Sequence, residues 1–397
     1  MSTNKTRVVV LAHVFPRTLD DSMGAFLLHL TDALADHGVC TDVVAPHAAN
    51  LAAEETIGAA RVHRFHYAPA RWENLAYTGT MHEIVGSGIA GKILFAFFCF
   101  AFLLKALSVV RSVRPQFIHA HWWLPGGFAG ALVARLTRTS LVITTHGTDV
   151  EMLRRTRWAL PLARLAFSRA RAITCGSAYL REQLLALGVA DAARVVVVPM
   201  PVNPLFQISD FRSRISGLQI LTVARLTRQK SIETLIAAQA VLRDRGSSAH
   251  LAIIGDGPER AALEKQAHDL NLQDSIRFLG ALPQTDLPRH YADCAVFVLP
   301  SVREGMGLVL AEALLCGAPV IAANSGGVTD IVKDGETGML VPERDPRALA
   351  DAIEKMLTDR ALAARLAANG AAWVRERYTR ERVADQFAEI YLRESRK

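Results

Sequence analysis

Short apolar, β-branched runs recur along the whole chain, each followed by a stretch of helical pattern. In the first half they fall at 7–12, 41–46, 116–121, 141–146, 172–177 and 194–199. In the second half they fall at 218–224, 250–255, 275–280, 295–300 and 318–323. Strands this uniformly apolar belong in parallel sheets covered on both faces, and the alternation with helices gives the doubly wound α/β pattern, twice over. PMPVNPLFQ (199–207) stiffens and stops the chain between the two sets. The expected layout is a Rossmann-like domain over 1–203, a second over 204–375, and a helical segment over 376–397 that packs back toward the first.

In open α/β sheets ligands bind beyond the carboxyl ends of strands, so two such domains place a cleft between them and motifs should follow strands. REGMGLVLAEALLCG (303–317) follows the run at 295–300. Gly305 and Gly307 let the backbone come close to a ligand. The amides of Met306, Gly307 and Leu308 then stand at a helix N-terminus, an anion site. Glu304 and Glu312 flank it, and carboxylates accept hydroxyl hydrogen bonds in a fork. Diphosphate between two sets of hydroxyls is the layout of a nucleotide-sugar; the plain alternative is a capped helix with a solvated glutamate. VARLTRQKS (223–231) follows another strand and offers Arg225 and Lys230 as fixed positive charge. In IIGDGPE (253–259), Gly255 and Gly257 border the same strand ends, and Asp256 reads as part of a tight turn. In the first half Gly24 opens a helix, His121 and Trp122 end one strand, and His146 and Asp149 follow another in HGTD.

Hydrophobic residues at 51% and charged residues at 21% exclude a disordered chain. Five scattered cysteines without CxxC spacing suit a reducing compartment and exclude a zinc knuckle. No HExxH or other metal-ligand spacing occurs, nor GxSxG, so neither a resident metal nor a serine hydrolase is expected. VVVLAHVF reads as a first buried strand, not a secretory signal, which points to the cytoplasm. The formal net charge of +7 lies wholly before residue 206. It fits a solvated arginine-rich face or an anionic partner such as nucleotide phosphates or a membrane surface. No nucleic-acid signature accompanies it. Between Lys92 and Lys105 lie twelve apolar residues, Ile93–Leu104. That is too short to span a bilayer, which needs about 20. Two readings stand: a buried helix, or an interfacial element supported by Arg111 and Arg114.

The succession of Gly24, HGTD, ARLxxxK, GDGP, REGMGLVLAEALLCGAPVIA and SGGVTDIVKDGETGMLV resembles the retaining glycosyltransferases of family 4, which have the GT-B fold. The resemblance implies acceptor binding by the first domain and nucleotide-sugar binding, UDP- or GDP-linked, by the second. Arg225 and Lys230, with the amides of Met306, Gly307 and Leu308, would hold the diphosphate. Glu304 would contact donor-sugar hydroxyls and Glu312 the ribose. His146 would touch the donor sugar, with Gly24, Gly255 and Gly257 bordering the donor. His121, Trp122 and Asp149 are the acceptor-side candidates, the acceptor being a glycan or a lipid-linked glycan. No cofactor or metal is implied. A nucleotide-sugar epimerase of the same fold and a non-catalytic sugar-binding scaffold are the alternatives.

Overall fold

The computed structural model describes residues 6–19, 21, 23–77, 81–207 and 218–395. The chain divides into two compact units: Met1–Pro201 with Arg380–Lys397, and Val202–Thr379. The breaks lie a few residues from those expected at 203/204 and 375/376. Val202 N–H donates to the Tyr378 carbonyl at 2.9 Å, and both residues are buried in one cluster, which keeps both segments in the second unit.

The first unit is built on eight strands: β1 (Thr6–Leu11), β2 (Val39–Pro46), β3 (Glu54–Ile57), β4 (Ala60–Phe65), β5 (Phe117–His121), β6 (Ser140–Thr145), β7 (Ala172–Cys175) and β8 (Val195–Val197). Their order is β3-β4-β2-β1-β5-β6-β7-β8, parallel except for the β3–β4 hairpin. That hairpin is absent from the pattern-based reading because its strands carry charge. Arg61 pairs with Glu54 at 2.8 Å, the buried Arg64 with Glu55 at 2.6 Å, and His63 with Asp42 at 2.8 Å. The direction of winding reverses between β1 and β5, so their carboxyl ends form the switch point. The final helix, Arg380–Ser395, belongs to this unit. It buries Phe387 and Tyr391, and the Tyr391 hydroxyl meets His119 Nδ1 at 2.8 Å.

The apolar segment is longer than expected. It forms one helix, Ile89–Val113, of 25 residues, long and apolar enough to cross a membrane by length and composition. Phe98, Phe102 and Ala106 are fully buried, and Phe98 and Phe102 pack on Phe65. Ile89, Ile93, Phe97, Phe100 and Leu104 are at least half exposed and recur every three or four residues along the other side. The segment is therefore neither a buried core helix nor detached from the core: one stripe is core and the opposite stripe is bare.

The second unit holds β9 (Gln219–Val223), β10 (His250–Ile254), β11 (Ile276–Gly280), β12 (Val296–Leu299), β13 (Val320–Ala323) and β14 (Met339–Val341). Their order is β11-β10-β9-β12-β13-β14, all parallel. Here the winding reverses between β9 and β12.

Candidate functional site

The switch point of the second unit brings the two strongest motifs together. After β9 the chain runs through Arg225 into a short turn, Arg228–Lys230; after β12 it runs through Glu304 into the helix Leu308–Leu315. Val302 N–H donates to the Gln229 carbonyl at 2.8 Å and Gln229 Nε2 to the Arg303 carbonyl at 3.0 Å, which ties the two loops. Across this tie Lys230 Nζ meets Glu304 Oε2 at 2.5 Å, with both side chains mostly buried. Burial would raise the Glu304 carboxyl, but the charge and hydrogen bond of Lys230 outweigh it and hold it below the usual range.

Glu304 is braced from behind by residues given no role by sequence reasoning. Gly327 N–H donates to its carbonyl at 2.7 Å, and Arg303 N–H donates to Ser325 Oγ at 2.6 Å. Gly326 has φ +70°, and a Cβ there would lie 2.3 Å from the Glu304 carbonyl oxygen. The SGG run was the available signal. Gly307, at φ +80°, precedes the helix whose N-terminus carries the Gly307 and Leu308 amides. Arg225 is exposed at the mouth of its loop.

Gly255 and Gly257 act on that same loop. A Cβ on Gly255 would meet the Ala224 carbonyl at 1.9 Å, and one on Gly257 the Leu226 carbonyl at 2.4 Å. Ala224 N–H donates to Ile254 O and Leu226 N–H to Asp256 O, at 3.0 and 2.9 Å. These glycines let two backbones touch, and that contact sets the course of the Arg225 loop. Glu312 is buried in its helix. Its Oε2 accepts the Tyr291 hydroxyl at 3.1 Å, and burial pushes its carboxyl up to about 7 despite that bond.

The first unit gathers a different set at its switch point. His13 follows β1, His119 and His121 lie on β5, and His146 follows β6. His121 Nδ1 and His146 Nε2 are 3.2 Å apart, and the Trp122 ring lies 4.2 Å from both His13 and His146. His119 bonds Thr144 Oγ1 at 2.6 Å on its other nitrogen. Burial lowers His13 to about 4 and His119 and His146 to about 3, and it holds His121 well below its ordinary range, so the cluster is neutral near pH 7. His121 Nε2 has no hydrogen-bond partner among the described residues.

Asp149, an acceptor-side candidate, lies beneath this surface instead. Its carboxylate accepts the amides of Trp123 at 2.9 Å, His146 at 2.7 Å and Val150 at 3.0 Å, and so fixes the turns that carry Trp122 and His146. Burial still pushes it up to about 7. Trp122 has φ +62°, a conformation costly for a bulky residue, which those bonds sustain. Gly24, at φ +79°, starts the helix Ala25–Asp36 and brings it to the backbone of Val14 and Phe15.

Sequence spacing offers no metal-ligand set, and the structure brings three distant residues together: His47, His66 and Glu73 each place one ligand atom within 4.8 Å of the others.

Residues 209–373 match the family described as glycosyl transferases group 1, and residues 22–201 match the glycosyl transferase 4-like domain. A D-inositol 3-phosphate glycosyltransferase from Frankia alni is 34% identical over 299 residues, 68% of this chain and 72% of its own. A GDP-mannose-dependent alpha-(1-6)-phosphatidylinositol monomannoside mannosyltransferase from Mycobacterium tuberculosis is 32% identical over 280 residues, 65% of this chain and 71% of its own. Among solved structures, sucrose-phosphate synthase from Thermosynechococcus elongatus superposes with a TM-score of 0.78 at 24% identity, covering 98% of both chains.

Proposed function

The chain belongs to this family of group 1 and 4-like glycosyltransferases, and we propose that it transfers a hexose, with retention, from a nucleotide-diphosphate sugar to an acceptor hydroxyl. The observation that supports the chemistry best is the Lys230–Glu304 pair beside the Leu308 helix N-terminus. In this reading Lys230 and Arg225 take the diphosphate with the amides of Met306, Gly307 and Leu308, and Glu304 turns to the sugar hydroxyls. Glu312 takes the ribose. His146 and Gly24 are assigned to the sugar by the resemblance alone, and His121 and Trp122 to the acceptor side.

Retaining hydrolases place two carboxylates about 5 Å apart, one of them the nucleophile. Glu304 is held by Lys230 and Glu312 by Tyr291, so neither is given that role. The acceptor oxygen attacks the anomeric carbon from the face the diphosphate leaves. The bond to the diphosphate oxygen breaks, and that oxygen receives the acceptor proton. Arg225, Lys230 and the helix amides stabilise the charge that develops there, so the transfer step uses no metal or cofactor. A thermal-shift screen over UDP-, GDP-, ADP- and TDP-sugars identifies the donor, because a bound donor raises the midpoint by mass action. Proton NMR of the product then reads the anomer. An inverted product refutes the mechanism, and turnover of donor without acceptor into an epimer refutes the transferase reading.

The acceptor reading includes a lipid-linked glycan at an anionic, cytoplasm-facing membrane surface. Its support is the bare stripe Ile89, Ile93, Phe97, Phe100 and Leu104, together with the exposed Trp72, which has Arg71 over its ring, and the exposed cations Lys92, Arg111 and Arg114. Apolar area and basic charge together are what an anionic bilayer surface binds. The two stripes of the helix separate under mutation. Phe97→Glu leaves the fold intact and weakens co-sedimentation with anionic vesicles. Phe98→Glu buries a charge and unfolds the unit. Wild-type protein that ignores anionic vesicles at low salt ends the membrane reading.

A further inference from the structure

Outside the switch point of the first unit lies a group of side chains that the transfer reading does not use. His47 directly follows β2 and His66 directly follows β4, and these strands pair in register through Pro46 and Phe65. Glu73 follows the short turn Ala70–Trp72 and comes back over both strand ends. Glu73 Oε2 lies 2.8 Å from His47 Nδ1, and Oε1 lies 3.2 Å from His66 Nδ1.

The Glu73 side chain is 1% exposed. Its partners among the described residues are the two imidazoles and the Tyr67 N–H, with no lysine or arginine. A carboxylate buried to this degree needs a compensating positive charge. His47 Nε2 lies 3.0 Å from the Leu51 carbonyl, which can only accept, so that nitrogen carries a proton. The lone pair of a neutral His47 is then left on Nδ1, facing a carboxylate oxygen. The two rings lie 3.8 Å apart, centroid to centroid, and tilted by 41°, so charging both would bring like charges close together. A single cation between the three ligand atoms resolves all of these contacts. The Leu51 carbonyl then orients one ligand imidazole and the Tyr67 amide orients the carboxylate, in the manner of outer-shell partners of metal ligands.

We propose that His47, His66 and Glu73 bind one divalent metal ion of the zinc class. Two imidazoles and one carboxylate are a zinc donor set, and the 58% exposure of His66 leaves room for water at a fourth position. The site clips the 66–75 loop onto the sheet. Tyr67 in that loop packs against Phe98 at 4.8 Å and its hydroxyl accepts the Leu75 amide at 3.0 Å. The metal therefore fixes the loop against the buried stripe of the Ile89–Val113 helix. This role is structural and does not depend on the transferase reading.

A protonated His47 would satisfy the same atoms without a metal, and the experiment separates the two. The full chain is stripped with a chelator, dialysed, and titrated with zinc chloride against a chromophoric competitor, with metal content read by elemental analysis. Wild type takes up about one equivalent and its thermal midpoint rises by a few degrees. Cobalt in place of zinc gives the visible absorption of a low-coordinate N/O site. His66→Ala, at an exposed position, and Glu73→Gln, which keeps the shape, each lose the equivalent, the absorption and the zinc-dependent rise. Zinc-free wild type with an unmoved midpoint overturns the proposal. So does equal uptake by wild type and both variants. If one variant fails to fold in chelator, the other decides.

Discussion

At the reversal of winding in the second unit the strand ends hold a lysine–glutamate pair; at the reversal in the first they hold imidazoles. Lys230 and Glu304 are both mostly buried, and the pair keeps the carboxylate ionised. His13, His119, His121 and His146 are packed so that burial keeps them neutral. The same doubly wound scaffold thus presents fixed charge in one unit and uncharged hydrogen-bonding groups in the other. Fixed charge suits a diphosphate, whose desolvation it offsets. Neutral donors and acceptors suit hydroxyl-bearing molecules, which a buried charge would not favour.

Removing the charge from the second unit gives the largest expected effect. Lys230→Ala leaves Glu304 buried without its cation and the leaving diphosphate without a stabilising charge. Transfer falls by roughly a hundredfold or more, and Arg225→Ala follows it. Breaking a buried pair from one side costs about 3–5 kcal/mol, so the thermal midpoint of Lys230→Ala falls as well, whereas the exposed Arg225 leaves it unchanged. Steady-state rates and melts on both variants test this. Near-wild-type turnover in both would mean that the pair is structural, and the contrast between the units would lose its functional meaning.

Acid should then separate the units by sign. The histidine values are lowered from 6.5, so their stabilising contribution is present above pH 6.5 and is lost as pH falls. The fully buried His119 and His121 each cost up to about 1.4 kcal/mol per pH unit below that point. Asp149 opposes them in the same unit, because its raised value gains stability as pH falls from about 7. The histidines outnumber it. In the second unit Glu312 is raised from 4.5 to about 7, so its contribution is complete below 4.5 and lost as pH rises through 7. From pH 6.5 to 5 the first unit should weaken while the second holds or gains. Amide-exchange protection of Phe117–His121 and Gln219–Val223, corrected for intrinsic rates, reads each separately. Equal changes in both strands would remove the distinction.

Much of this contrast was legible in the sequence because its parts are local. Lys230 and Glu304 stand in short motifs directly after apolar strands, and the parallel-sheet pattern places strand ends on one edge. His121 and His146 were visible for the same reason, whereas His13 and His119 join them only through the packing of the sheet. What was not legible depends on contacts between distant segments. Asp149 reads as an acceptor-side residue from its place in HGTD, and only its bond to the amide of Trp123, 26 positions away, shows it holding the backbone instead. The β3–β4 hairpin hid behind Arg61 and Arg64, whose charges are paired within the sheet. Glu73 and its histidines, at 47 and 66, have no spacing that a ligand pattern would detect. The bare stripe of the Ile89–Val113 helix was hidden by composition, since its core-facing and exposed positions are equally apolar.

Glycine substitutions give the smallest effects and grade the two units against each other. Gly326 and Gly24 have similar dihedrals, φ +70° and +79°, so alanine pays the same left-handed penalty of about 1 kcal/mol at either. They differ in what a Cβ meets. At Gly326 it would lie 2.3 Å from the Glu304 carbonyl oxygen and 2.8 Å from its nitrogen, so the backbone behind Glu304 must move. At Gly24 the nearest atom, the Val14 carbonyl oxygen, is 3.3 Å away, a contact that a shift of a few tenths of an ångström relieves. Gly326→Ala should therefore lower kcat about tenfold, as the carboxylate leaves its place beside Lys230, and should lower the midpoint more than Gly24→Ala does, because backbone has to give way. Gly24→Ala should cost about 1 kcal/mol in a chemical melt and change kcat little. If Gly24→Ala damages kcat as much as Gly326→Ala does, the proposed division of roles between the two units must be redrawn.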